Sequence, residues 1–436
     1  GNPGSSRAGS SQSGPKRHPM RVSLPSLFAL LLAAARAKEA QWQPRFLQDY
    51  PLAVCNDGTP AAYYFRAGDP GARQWLVYLD GEGWCWDEIS CAGAWEQAHA
   101  TSNGFAHSVD ELKPRADQWL SSGIFDRERS PLVGAHVAFV KSCSNDAFMG
   151  DRASPDDEDS GGAPQAPRPG PAGWRFRGKR ILEAVFEDLR KFTGLGSERG
   201  DRLVYGGCSA GARGAMASLD YVASSLAGYA ETLGLLDSGL WVPIAPPDPN
   251  KWQSFEHQQK AALEMANLSS FISEPCEKVF PGDQRWKCLE AAYRLPFVRT
   301  PYFLSHSQYD VFGIAMNLFG HFWPGRQLTP TELDFAEEYR KAVDTYLPVP
   351  ARDSRTVVFS PACYIHCMNT QERFYTIVAN GVKLSELLYW WLNSEGNATA
   401  QFQEPCEGFN CGLNAAASLQ GMSSALRNGQ KQVGSG

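Results

Sequence analysis

The stretch that most constrains this chain is Tyr205 to Gly214, reading YGGCSAGARG. It is entered through Arg202-Leu203-Val204-Tyr205, short, apolar and aromatic as a buried strand is. It is left through residues 212–227, rich in Ala, Leu, Met and Ser, which predict a helix. Between the two lies Gly207-Cys208-Ser209-Ala210-Gly211, a G-x-S-x-G. A serine held on so sharp a turn takes unusual backbone angles, and its neighbours must carry no side chain that strikes the strand or the helix. The helix N-terminus then points free N–H groups at the place where an oxyanion would form. The pattern predicts strand, elbow and helix, with Ser209 as the candidate nucleophile.

A chain of 436 residues has room for one large α/β domain or two average ones. Its 43% hydrophobic and 20% charged residues suit a globular fold with a sizeable core. A net charge of −6 with mixed signs gives no sign of a nucleic-acid partner. Met20-Arg21, the apolar run Leu24–Ala35 and the small-x-small triplet Ala35-Arg36-Ala37 predict a signal peptide over 20–37. Residues 1–19 before it read as a disordered or untranslated leader. No other stretch is apolar and long enough to span a membrane, so the expected location is extracellular.

Eleven cysteines in a secreted chain imply a disulfide framework with at least one left over. Cys208, inside the elbow, is the expected free one. Cys85/Cys91, Cys276/Cys288 and Cys406/Cys411 are spaced as local clips. No C-x-x-C pairs with a second or with H-x-x-x-H, which argues against a zinc site. Asn267-Leu-Ser and Asn397-Ala-Thr are glycosylation sequons.

Along the chain, residues 46–66 predict a β-ribbon turning at Asn56-Asp57-Gly58. Strands are expected at 74–79, 136–140, 202–205, 231–236, 301–305 and 355–360. Helices are expected at 177–195, 212–227, 330–346 (Thr329 as N-cap) and 384–392. Residues 245–300 predict helical cap structure. Residues 151–173, acidic and then Pro/Gly-rich, predict a disordered insert, and 413–436 a disordered tail. Alternating strands and helices predict a doubly wound, mainly parallel sheet of α/β-hydrolase type with helical cap insertions.

In such a sheet catalytic groups collect on loops at the carboxyl ends of strands. A serine needs a neighbour to take its proton. Of the eight histidines, His366 comes last, after a strand and between Cys363 and Cys367; His306 also follows a strand. His136 lies within a strand and reads as core. For the acid, Asp310 and Asp237 both follow strands. Asp310 is preferred, because Asp237 comes directly after the elbow unit and suits a loop-tying role, accepting backbone N–H bonds. The order Ser209, Asp310, His366 is that of α/β-hydrolases. The Gly-rich turn 81–84 after the strand 74–79 is where this fold class places a second oxyanion donor.

The motifs CNDGTPAAYYF, WLVYLDGEGWC, CSNDAFMGD, FRGKRILEAVFEDL, YGGCSAGARG, LLDSG, SQYD and SPACYIHC occur in this order. Together they resemble the pectin acetylesterase/Notum family of secreted serine esterases, from about Cys55 to the region of Leu392. The resemblance implies Ser209 as nucleophile, Asp310 as orienter and His366 as base. It implies an oxyanion hole from the backbone of Ala210, Glu82 and Gly83, and substrate contact at Trp84. Glu82 stands where the family usually has glycine, and its carboxylate beside an oxyanion is unfavourable unless it points away. The implied domain is 38–412, the implied substrate an ester, with no metal or cofactor and a monomeric state. The expected reaction is deacetylation of polysaccharide, with removal of a fatty acyl group from a secreted protein as the alternative. A catalytically inactive binding protein is the third reading.

Overall fold

The computed structural model describes residues 1, 42–100, 120–153, 174–321, 326–352, 354–394 and 398–412. The leader and signal-peptide expectations, most of the 151–173 insert, His18, His107, Asn397 and the tail lie outside them.

A nine-stranded sheet forms the scaffold, in the order β1-β2-β4-β3-β5-β6-β7-β9-β13. β1 (Gln43–Phe46) and β2 (Ala62–Arg66) pair antiparallel, and β2 pairs antiparallel with β4 (His136–Val140). From there β3 (Gln74–Leu79), β5 (Asp201–Cys208), β6 (Ala230–Asp237), β7 (Tyr302–Ser305), β9 (Val357–Ser360) and β13 (Ala400–Gln403) run parallel. The opening ribbon is therefore real, and the chain does turn at residues 56–58. Its paired strands lie further from that turn than the sequence pattern predicts, with only a Val54–Pro60 bridge beside it.

The central strands are continuous apolar runs because both faces of the sheet are covered. Leu203 and Tyr205 point into one buried cluster and Val204 into the other. On one face α1 (Gly178–Thr193) packs Ile181, Leu182, Val185, Phe186 and Leu189 inward, and Gly194 in the left-handed region ends it. On the same side α2 (Ala210–Ser225) follows the elbow. The 245–300 region is helical as expected, with α3 (Phe255–Met265), α4 (Glu274–Val279) and α5 (Ala291–Arg294). α6 (Val311–Phe319) begins straight after Asp310, a helix the apolar run 311–319 does not advertise. α7 (Pro330–Tyr346) opens on a capping box between Thr329 and Glu332. α8 (Leu384–Asn393) buries Leu387, Leu388 and Trp391 against the opposite face.

The start of the acidic insert is structured. Arg152 bridges Phe176, and the Asp151 carboxylate gathers Arg177, Lys179 and Arg180. Five disulfides are present: Cys55–Cys143, Cys85–Cys91, Cys208–Cys367, Cys276–Cys288 and Cys406–Cys411. The three local clips stand, but the free thiol is Cys363, not Cys208. The reason is the path of residues 361–369. Asp237 and Ser238, at the end of β6, collect the N–H groups of this loop and draw it across the strand ends. Cys367 thereby comes within 5.5 Å, Cα to Cα, of Cys208, a normal disulfide span.

Candidate active site

The elbow is built as its glycines require. Ser209 has φ 55° and ψ −123°, a left-sided conformation that a non-glycine residue adopts only when its surroundings enforce it. A Cβ on Gly211 would come 2.2 Å from the Leu79 carbonyl oxygen, so only glycine lets α2 approach β3 this closely. The Ser209 N–H donates to the Asp237 carbonyl at 2.8 Å, which fastens the turn to β6. Its hydroxyl makes no cap bond to α2 and stays available for chemistry.

Asp310 and His366 are brought together by a feature absent from the periodicity. β8 (Tyr309–Asp310) and β10 (Tyr364–Ile365) form a two-stranded parallel pair beyond the main sheet. It sets the two side chains side by side, with His366 Nδ1 2.7 Å from Asp310 Oδ2. Asp310 is fully buried, and its second oxygen accepts the Gly313 N–H at 2.8 Å. Burial works against its charge, but the His366 ring outweighs that and holds the carboxyl below its ordinary range. Burial likewise opposes a charged His366, and the Asp310 carboxylate overrides it and raises the imidazole. Phe312 stacks on the ring with centroids 5.5 Å apart.

The base loop meets the elbow through covalent chemistry. Cys208 precedes Ser209, Cys367 follows His366, and the two are joined. A His366 ring nitrogen lies within 4.8 Å of both sulfurs. Sulfurs spent in a disulfide carry no thiolate charge, so this trio does not make a metal-ligand set.

Asp237 has the loop-tying role expected of it. Its carboxylate accepts the N–H groups of Asn369 at 2.7 Å and Met368 at 3.2 Å. Burial pushes it up to about 6. His306 is fully buried with neither ring nitrogen bonded, and burial lowers it to about 4. His136 stacks against Phe65 and Trp75 at the far end of the sheet, and His257 and His321 are exposed.

The turn after β3 lies against the nucleophile: a Cβ built on Gly81 would be 3.1 Å from the Ser209 Cβ. The N–H groups of Glu82 and Gly83 bond no described acceptor, and Ala210 opens α2 with no intrahelical carbonyl to meet. The Glu82 side chain is turned to Lys141, a residue the sequence did not mark. Lys141 is almost wholly buried and pairs with Asp80 Oδ2 at 2.7 Å and with Glu82 Oε1. Burial, with Asp80 nearby, pushes Glu82 up to about 7 against the pull of Lys141.

Beside His366 the aromatic rings close ranks. Trp84 and Trp241 lie 4.7 Å apart by centroid, and Phe255 and Phe312 each lie within 6.5 Å of both. None of the four is more than 8% exposed. Behind them the Arg213 guanidinium sits 4.8 Å over the Trp84 ring, its Nε donating to the Leu289 carbonyl and facing Glu290 at 3.5 Å. These rings come from four separate segments, which is why no local motif reveals the cluster.

Residues 35–409 match the family model described as pectinacetylesterase. Palmitoleoyl-protein carboxylesterase NOTUM of Drosophila melanogaster is 26% identical over 350 residues, 78% of this chain and 47% of that protein. Pectin acetylesterase 5 of Arabidopsis thaliana is 26% identical over 331 residues, 72% of this chain and 70% of that one. The crystal structure of the Wnt deacylase Notum from Drosophila (crystal form I) shares the fold, with a TM-score of 0.69 at 23% identity, covering 86% of this chain and 99% of that one. The chain spans about half the length of the Drosophila relative.

Proposed function

Because the chain belongs to the pectinacetylesterase family, we propose that it is a carboxylic ester hydrolase working through an acyl-enzyme on Ser209. The observation that carries this reading is the 2.7 Å Asp310–His366 pair, tied by disulfide to the residue before an elbow serine. His366 takes the Ser209 proton as Oγ attacks the ester carbonyl carbon. The N–H groups of Ala210, Glu82 and Gly83 hold the resulting oxyanion, each well-placed donor worth about 3–4 kcal/mol. His366 then protonates the leaving alcohol, and the same base activates the water that releases the acid. Asp310 keeps the imidazole in the tautomer and orientation this requires.

The acyl group is short, in our reading. Trp84, Trp241, Phe255 and Phe312 are packed against one another beside the base, and Trp84 forms the wall that the acyl group meets. An acetyl ester of a carbohydrate is the substrate that such a filled site suits. The competing reading, a long fatty acyl group, needs a deep apolar channel there. Comparing acetyl and octanoyl esters of one alcohol decides: turnover of the octanoyl ester equal to or better than that of the acetyl ester removes the short-acyl reading.

The protein is exported, in the same reading. Five disulfides suit an oxidising compartment. Asn267 is exposed, and Ser269 Oγ donates to its Oδ1 at 2.6 Å. A mass shift at Asn267 on enzymatic deglycosylation of the eukaryotically expressed protein is the expected result; unmodified Asn267 removes the glycoprotein assignment.

A further inference from the structure

The Cys208–Cys367 bond is the one disulfide whose two ends both adjoin proposed catalytic residues. Of the other four, three close local loops and Cys55–Cys143 ties the opening ribbon to the end of β4. We propose that Cys208 and Cys367 are positioning residues: their bond is a strap that holds the His366 imidazole at the Ser209 hydroxyl. This rests on the esterase reading above.

The base has little regular structure of its own to fix it. It follows a two-residue strand and precedes a single 3-10 turn. Cys367 has φ 58°, a conformation disfavoured for a side chain with a Cβ. Ser238 and Asp237 hold the main chain of residues 367–369, and Asp310 holds one edge of the ring. None of these contacts reaches the nucleophile's own turn from the base loop; the disulfide does. A displacement of about 1 Å between reacting groups costs on the order of 100-fold in rate, so a covalent link one residue from each partner sets the distance that matters most. The neighbouring Cys363 offers no easy exchange partner, because it is buried and its thiol is pushed up to about 11. Cys367 is only half-buried, so a small thiol reagent can reach the strap.

The test compares kcat and KM on p-nitrophenyl acetate for the wild type, Cys208→Ala/Cys367→Ala and Cys55→Ala/Cys143→Ala. The strap variant is expected to lose at least tenfold in kcat with KM held within twofold. The other variant is expected to lose thermal stability while keeping kcat within twofold. The wild type is also titrated with dithiothreitol, which passes two electrons and two protons to the strap and ends as its own cyclic disulfide. Alkylation and peptide mapping then follow each cysteine, which keeps the test valid even if a variant does not fold. Activity should fall in step with labelling of Cys208 and Cys367 and return on reoxidation. Full kcat with both cysteines labelled, or with both replaced, overturns the strap alone. Turnover surviving in Ser209→Ala, run beside them, overturns the esterase reading and the strap with it.

Discussion

His366 Nδ1 and Asp310 Oδ2 lie 2.7 Å apart, with the carboxylate fully buried. The working base is the neutral imidazole, and Asp310 raises its pKa above the ordinary 6.5. Activity is therefore lost, as pH falls, at a higher pH than an isolated imidazole would give. Asp310→Asn removes the charge that favours imidazolium, so the acid limb of kcat/KM moves to lower pH. The same change leaves the wrong tautomer in place, and kcat falls by roughly 10⁴-fold. A pH–rate profile of both proteins checks the shift and the loss together.

Asp237 serves as the control for that assignment. It faces backbone N–H groups of the base loop, not the imidazole edge. Asp237→Asn puts an amide where two N–H groups need acceptors, at a cost of about 1–3 kcal/mol. The expected outcome is a lower denaturation midpoint and a kcat reduced by up to roughly 100-fold through misplacement of the loop. The acid limb moves much less than in Asp310→Asn.

Lys141 neutralises two carboxylates beside the proposed oxyanion turn. Lys141→Met leaves both without their counter-charge. Stability should fall by about 3 kcal/mol, the low end for breaking a buried pair, because Asp80 and Glu82 keep some contact with solvent. With Glu82 then free to swing toward the oxyanion, kcat falls as well, and Lys141→Met/Glu82→Gln recovers part of both. Urea denaturation and p-nitrophenyl acetate kinetics measure the two effects.

Phe255 belongs to the aromatic block but does not stack on the base. Phe255→Ala should open room there and raise the octanoyl-to-acetyl ratio of kcat/KM by at least about tenfold, since each methylene accommodated is worth ~1–3 kcal/mol. An unchanged ratio would place the acyl site elsewhere.

What the sequence made legible was local. A strand ending in G-x-S-x-G announces Ser209 and its strained turn, because glycine and strand-to-helix geometry are neighbours along the chain. Asp237 was readable as a loop tie for the same reason, since it ends a strand. The Asp310–His366 pairing needed the small β8–β10 ladder, whose two-residue strands carry no period to detect. Cys208 read as unpaired because burial in the elbow argues against a partner. Its partner arrives only when Asp237 and Ser238 fold the 361–369 loop over the strand ends. Lys141 is one lysine after an apolar strand, and its two carboxylates lie about sixty residues away.

Reaction of the folded enzyme with a fluorophosphonate, followed by peptide mapping, tests the central claim most directly. The account predicts one adduct, on Ser209, forming far more slowly in His366→Ala and absent in Ser209→Ala, with esterase activity lost in step. An adduct on any other residue, or full ester turnover by Ser209→Ala, would contradict it.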